Sequence, residues 1–155
     1  ASHTVQYPVY GGSPALLLSS SESGREGEQI GASLLTAEEI GGLDLSTVRL
    51  AVISSCESGV GRYSERVQGY GIGGAFLEAG ARDVIATLRP VEDAAAREFA
   101  IAFYEDLLRG GAEPADALRR ADNRIIAEDR SAGNPLRRID VWGPYILLGS
   151  FGSMH

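Results

Sequence analysis

The stretch RLAVISSCESGVG, Arg49 to Gly61, decides how the rest of the chain is read. Leu50, Ala51, Val52 and Ile53 form a short unbroken apolar run. A run with no polar face predicts a strand covered on both sides, as in a parallel sheet. Ser54 and Ser55 end the run, Cys56 follows, and Ser58, Gly59 and Gly61 turn the chain away. The strand, expected over 49–55, thus delivers a thiol at its carboxyl end. That is where ligands bind in open α/β sheets.

Working outward, Thr36-Ala37-Glu38-Glu39 is a capping-box pattern that opens a short helix, stopped by Gly41-Gly42. Upstream, residues 1–14 hold His3 and a Pro/Gly-rich loop. Short strands near 15–18 and 29–34 predict a hairpin around a polar loop at 20–31. Downstream, 67–79 reads as a helix closed by Gly80, and Asp83 to Leu88 as a second buried strand broken by Arg89-Pro90. Glu92 to Arg109 is amphipathic, with Ala96, Phe99, Ala100, Phe103 and Leu107 on one face. Gly110-Gly111 ends it, and Pro114 opens a further helix to about Glu128. Residues 129–139 read as a polar loop, and Tyr145 to Leu148 as a last strand. Strands alternating with helices predict an α/β fold with helices on the faces of a sheet. The strands are few for that many helices, so partner strands are expected before residue 1.

The 155 residues fit a single domain, and 44% hydrophobic with 23% charged residues is ordinary for a globular protein. A net charge of −7 argues against direct binding to nucleic acid. No apolar run approaches the ~18–20 residues that span a bilayer, so no membrane role is expected. One cysteine cannot form an internal disulfide, nothing points to an oxidising compartment, and a cytoplasmic protein is expected. One cysteine and two histidines are too few for a thiolate-rich zinc site.

A lone thiol at a strand end is either a nucleophile or a small buried hydrophobe. A nucleophile needs a base, and His3 lies 53 residues upstream of Cys56. Caspase-like thiol proteases place their histidine about 50 residues before the cysteine. Against this, a histidine three residues from an end is commonly frayed surface. Residues 69–74 also match G-x-G-x-x-G. A dinucleotide site requires a strand directly before that motif, and Tyr63 to Gln68 is not an apolar strand. Close packing of a helix on the sheet is the better use of those glycines.

Several longer motifs carry a family resemblance. Residues 34–61, LLTAEEIGGLDLSTVRLAVISSCESGVG, closely resemble the CHAT domain, a caspase-like cysteine-peptidase module often fused to tetratricopeptide repeats. Residues 67–93, VQGYGIGGAFLEAGARDVIATLRPVED, and the ending VWGPYILLG, 141–149, are similar to further motifs of the same family, in the same order. Ala1-Ser2-His3 resembles the element that carries the family's histidine. The resemblance spans nearly the whole chain.

The resemblance implies a caspase-like α/β sandwich, with a mostly parallel central sheet and helices on both faces. Residues 1–155 would be one such domain lacking its N-terminal portion. It implies a cysteine endopeptidase that cleaves protein substrates through a thioester, with Cys56 as nucleophile, His3 as base and no cofactor or metal. The backbone N–H groups of Thr4 and Cys56 would form the oxyanion hole. Regulation by a partner or a fused repeat domain, in bacterial signalling or defence, belongs to the same expectation.

Two positions depart from the family pattern. Thr4 stands where the family has glycine, and Arg89 stands where it has tryptophan, beside the substrate pocket. Asp93, with Glu92, sits where separases receive a basic substrate side chain; both acids equally suit the first turn of a helix. Glu57 either lines the cleft or is a plain loop residue. Two other functions are kept open: a caspase-like scaffold without turnover, and a thiol hydrolase acting on a small amide.

Overall fold

The computed structural model describes residues 3–6, 14–17, 34–53, 71–131 and 139–149. Among the described residues, the strand that opens at Leu50 is the edge of a three-stranded sheet: β4 (Leu50–Val52), β5 (Asp83–Thr87) and β6 (Tyr145–Gly149), in that order. A second sheet is antiparallel throughout, with β1 (His3–Gln6), β2 (Pro14–Leu17) and β3 (Leu34–Thr36) side by side.

The connections set the strand directions. Among the described residues, helix α2 (Gly71–Glu78) lies between β4 and β5; the chain returns to start a strand in the same direction and the pair is parallel. Two long helices, α3 (Asp93–Arg109) and α4 (Pro114–Ser131), follow β5. A pair of antiparallel helices carries the chain back to the end it left. A single turn, α5 (Ile139–Trp142), then introduces β6, which is antiparallel to β5. The sheet is therefore mixed and not mostly parallel as expected: one pair is parallel, and the two-helix return makes the other antiparallel.

Period-two alternation divides the sheet's side chains between two cores. Leu50, Val52, Ile85, Tyr145 and Leu147 face Phe99, Phe103, Ala117, Ala121 and Ile125 of α3 and α4. Ala51, Ile53, Val84 and Leu148 face Ile72 and Ala75 of α2 and Ile40 of α1 (Ala37–Gly41). Leu16 of β2 joins this second core, which anchors the antiparallel sheet to the same body. The fold is α/β with helices on both faces of its mixed sheet.

Local chemistry explains the element ends. Thr36 and Glu39 form the expected capping box: the Glu39 N–H donates to Thr36 Oγ1 at 3.2 Å, and the Thr36 N–H donates to Glu39 Oε2 at 2.8 Å. The Thr36 backbone bond first, and its hydroxyl second, hold the Glu39 carboxyl below its usual range. The chain turns away from the end of α2 at Gly80, whose φ of +103° favours glycine; a Cβ there would meet Ser46 N at 3.1 Å.

On α3, Ala102 is buried beside Phe99 and Phe103 because α4 lies along that flank with the small Ala117 and Ala121 facing it. The expected apolar face omitted Ala102. Arg124 of α4 clamps the flank, donating to Glu105 at 2.8 Å and to Asp106 at 2.7 Å.

Helix α4 also holds a group that opposes folding. Among the described residues, one carboxyl oxygen of Asp122 is buried without a hydrogen-bond partner, and burial pushes this acid up to about 6. The folded value lies above the unfolded one. The folded state is therefore favoured below the unfolded value and loses that advantage as pH rises through about 6. Asp122→Asn is expected to raise the melting temperature above about pH 7 and to lose the gain below about pH 4. Thermal melts of both proteins across pH check this; equal melting at pH ~8 would contradict it.

Candidate active site

Because β4 and β5 are parallel, their carboxyl ends open on the same side of the sheet. Ile53 continues β4 by one bond, its N–H donating to the Ile85 carbonyl at 2.8 Å. Its side chain is buried in the core formed with α1 and α2. Cys56 lies three residues beyond Ile53, and both Cys56 and Glu57 fall outside the described residues.

His3 is the first residue of β1 and stands opposite Leu17; Thr4 stands opposite Leu16. Leu16 and Ile53 share one buried cluster. The strand that carries His3 is thus the hydrogen-bonded neighbour of a strand packed into the same core as the end of β4. Thr4 lies in extended backbone, which a β-branched residue adopts without strain. Glycine's freedom is not required there.

The segment after β5 contributes Leu88, Arg89, Glu92 and Asp93. The Leu88 N–H donates to the Pro144 carbonyl at 2.9 Å, which joins the end of β5 to the start of β6. The Arg89 guanidinium donates to the Asp140 carboxylate and, at 3.0 Å, to the Ile139 carbonyl. Arg89, expected to meet substrate, therefore has two protein partners and ties α5 to the β5 end. The Arg89–Asp140 ion pair is open to solvent and contributes little stability alone; the added carbonyl bond gives it direction.

Glu92 is the extended residue just before α3 (φ −66°, ψ 146°), and its side chain makes no cap. Asp93 opens the helix and is exposed, where the positive end of the helix dipole favours it. The structure thus places Arg89 and Glu92 in the segment after β5 and Asp93 at the start of α3, all beyond the carboxyl end of β5. It brings Asp140 and Ile139 to Arg89, and sequence reasoning missed both. The pairing spans 51 residues and has no local pattern. Leu88 and Ile139 leave apolar surface at the same end, each more than two-fifths exposed.

The opposite end of the sheet is also built. A cavity of about 310 Å³ opens at the amino ends of β4 and β5, lined by Arg49, Leu50, Arg82, Leu107 and Glu113. Arg49 and Arg82 share Glu113 there at 3.9 and 3.5 Å. Among the described residues, no group of His, Cys, Asp and Glu is placed to hold a metal ion. None of the described helices is long and apolar enough to cross a membrane.

A family model described as the CHAT domain matches residues 1–150. Tetratricopeptide repeat protein 28 of Mus musculus is 35% identical over 118 residues, a match covering 76% of this chain and 4% of that protein. The chain thus corresponds to a small part of that relative.

Proposed function

This chain belongs to the CHAT domain family, and on that premise we propose that it is a cysteine endopeptidase built on Cys56 and His3. The supporting observation is the shared core: the neighbour strand of His3 contributes Leu16 to the cluster that buries Ile53, three residues before Cys56. Strands from the two sheets thereby contribute to one core.

In the proposed mechanism, His3 takes the proton of the Cys56 thiol, and the thiolate attacks the carbonyl carbon of the scissile peptide bond. The negative charge moves to the carbonyl oxygen, where the backbone N–H groups of Thr4 and Cys56 donate to it. The intermediate collapses, the C–N bond breaks, and the His3 imidazolium gives its proton to the leaving amine. A thioester remains on Cys56. Water attacks it as His3 takes the water's proton. The carboxylic acid leaves, the S–C bond breaks, and the proton returns to the thiol.

Arg89, already engaged by Asp140 and Ile139, shapes the wall of the pocket. The exposed Asp93, with Glu92 and Glu57, is offered to a basic substrate side chain, which a carboxylate binds well. The similarity to a protein named for tetratricopeptide repeats supports a domain that works with an attached or partner repeat segment. A reducing cytoplasmic setting suits a single-thiol enzyme.

An electrophilic peptide probe tests the reading. Mass spectrometry is expected to find the adduct on Cys56, with no adduct in Cys56→Ala. If a small thiol reagent modifies Cys56 while a panel of peptide probes does not, the endopeptidase reading fails.

A further inference from the structure

Arg89 precedes Glu92 by three residues and Asp93 by four, so its guanidinium has two carboxylates close by in its own segment. It pairs with neither. Its Nη1 donates to the Asp140 carboxylate and its Nη2 to the Ile139 carbonyl at 3.0 Å, both on α5, 51 and 50 residues further along the chain. Glu92 and Asp93 are exposed, and neither forms an ion pair among the described residues.

The seat of Arg89 is built for a guanidinium. That group donates through a planar fork, and here each prong meets an acceptor. The Ile139 carbonyl also accepts from the Gly143 N–H at 2.9 Å, so both of its lone pairs are used. Gly143 leaves the space: a Cβ there would meet the Ile139 oxygen at 2.7 Å and lie 3.6 Å from Arg89 Nη2. Next to the seat, the Leu88 N–H donates to the Pro144 carbonyl at 2.9 Å and fixes where the arginine stem begins. Arg89 is half-buried there, whereas the two acids face water. An arginine released among those acids would cancel one of them and repel a second cation. Between neighbouring exposed charges, such a change alters binding several-fold.

We propose that Asp140 is a positioning residue that sets substrate selectivity: by holding the Arg89 guanidinium on α5, it leaves Glu92 and Asp93 open to a basic side chain of the substrate. This rests on the endopeptidase reading above. It adds that the preference for a cationic side chain depends on a residue that does not touch the substrate. Selectivity is then controlled from α5, although the acids stand at the start of α3.

Cleavage of paired peptides tests the proposal, each pair differing only by arginine or its neutral isostere citrulline at one position near the cleaved bond. The ratio of kcat/KM within a pair reads the preference for a cation. In Asp140→Ala that ratio is expected to fall about three- to tenfold, mainly through KM. In Arg89→Gln it is expected to stay at the parent value or rise, and in the double variant to return to at least the parent value. A purely structural tie between α5 and the end of β5 is lost in all three variants and would lower the ratio in all three. The Asp140 side chain is 73% exposed, so its variant should melt like the parent. A ratio unchanged in Asp140→Ala, or not restored by adding Arg89→Gln, overturns the proposal. So does a parent with no preference for arginine at any position, which leaves the endopeptidase reading standing. Failure to cleave any peptide, with Cys56 unmodified by peptide probes, overturns that reading and this inference with it.

Discussion

Replacing Cys56 by alanine is expected to lower peptide-bond cleavage by a factor on the order of 10⁴–10⁶ without moving the melting temperature. The proposed reaction passes through a thioester on this sulfur, and no other cysteine exists in the chain to replace it. His3→Ala is expected to cost nearly as much, because an unassisted thiol is mostly protonated near neutral pH and the leaving amine then lacks its acid. The two residues act as a unit, so the double variant should be no slower than the worse single one. Turnover of one cleaved peptide by the four proteins checks this. Independent, multiplying losses would mean that the two groups serve different steps.

Phe103→Ala is expected to destabilise the fold by about 3–5 kcal/mol, the range for deleting a large buried aromatic side chain. Phe103 is completely buried and sits in the core between α3, α4 and the sheet. Its ring stacks with Phe99 at 5.9 Å, and Phe99 in turn stacks on Tyr145 of β6. The cavity would open between helices tied to each other by Arg124 and its two acids, which limits how far they can shift to fill it. Against a typical domain stability of about 5–15 kcal/mol, the loss leaves a marginal fold. Urea unfolding measures it. A loss under about 1 kcal/mol would show that α3 repacks freely and that the two-core description is wrong.

Some elements were legible in the sequence because their signals are local. The capping box of α1 needs only Thr36 and Glu39. The stops after α2 and α3 need only glycine, and the buried run of β5 needs no partner to announce itself. Other elements depend on contacts across the chain. His-Thr-Val-Gln has one aliphatic residue and no recognisable strand pattern; it becomes β1 because β2 pairs with it. The turn of α5 is held by Arg89, far away in sequence, and falls where a polar loop ended. Ala102 reads as neutral on a helical wheel and is buried only because α4 packs on that flank.

The candidate site divides in the same way. The strand end before Cys56 and the placing of Glu92 and Asp93 at the start of α3 follow from the order of elements. The partners of Arg89 do not, since nothing in Arg89-Pro90 specifies Asp140. The hydrogen-bonded route from His3 through β2 to the core around Ile53 was equally invisible, because it crosses between two sheets.

The pairing of His3 with Cys56 is the central claim, and the pH profile of Cys56 alkylation tests it most directly. In the parent protein the reactive thiolate is expected to persist well below the ordinary cysteine value of about 8.5. In His3→Ala the profile is expected to move back toward that value. Superimposable profiles with an ordinary thiol in both proteins would contradict the account.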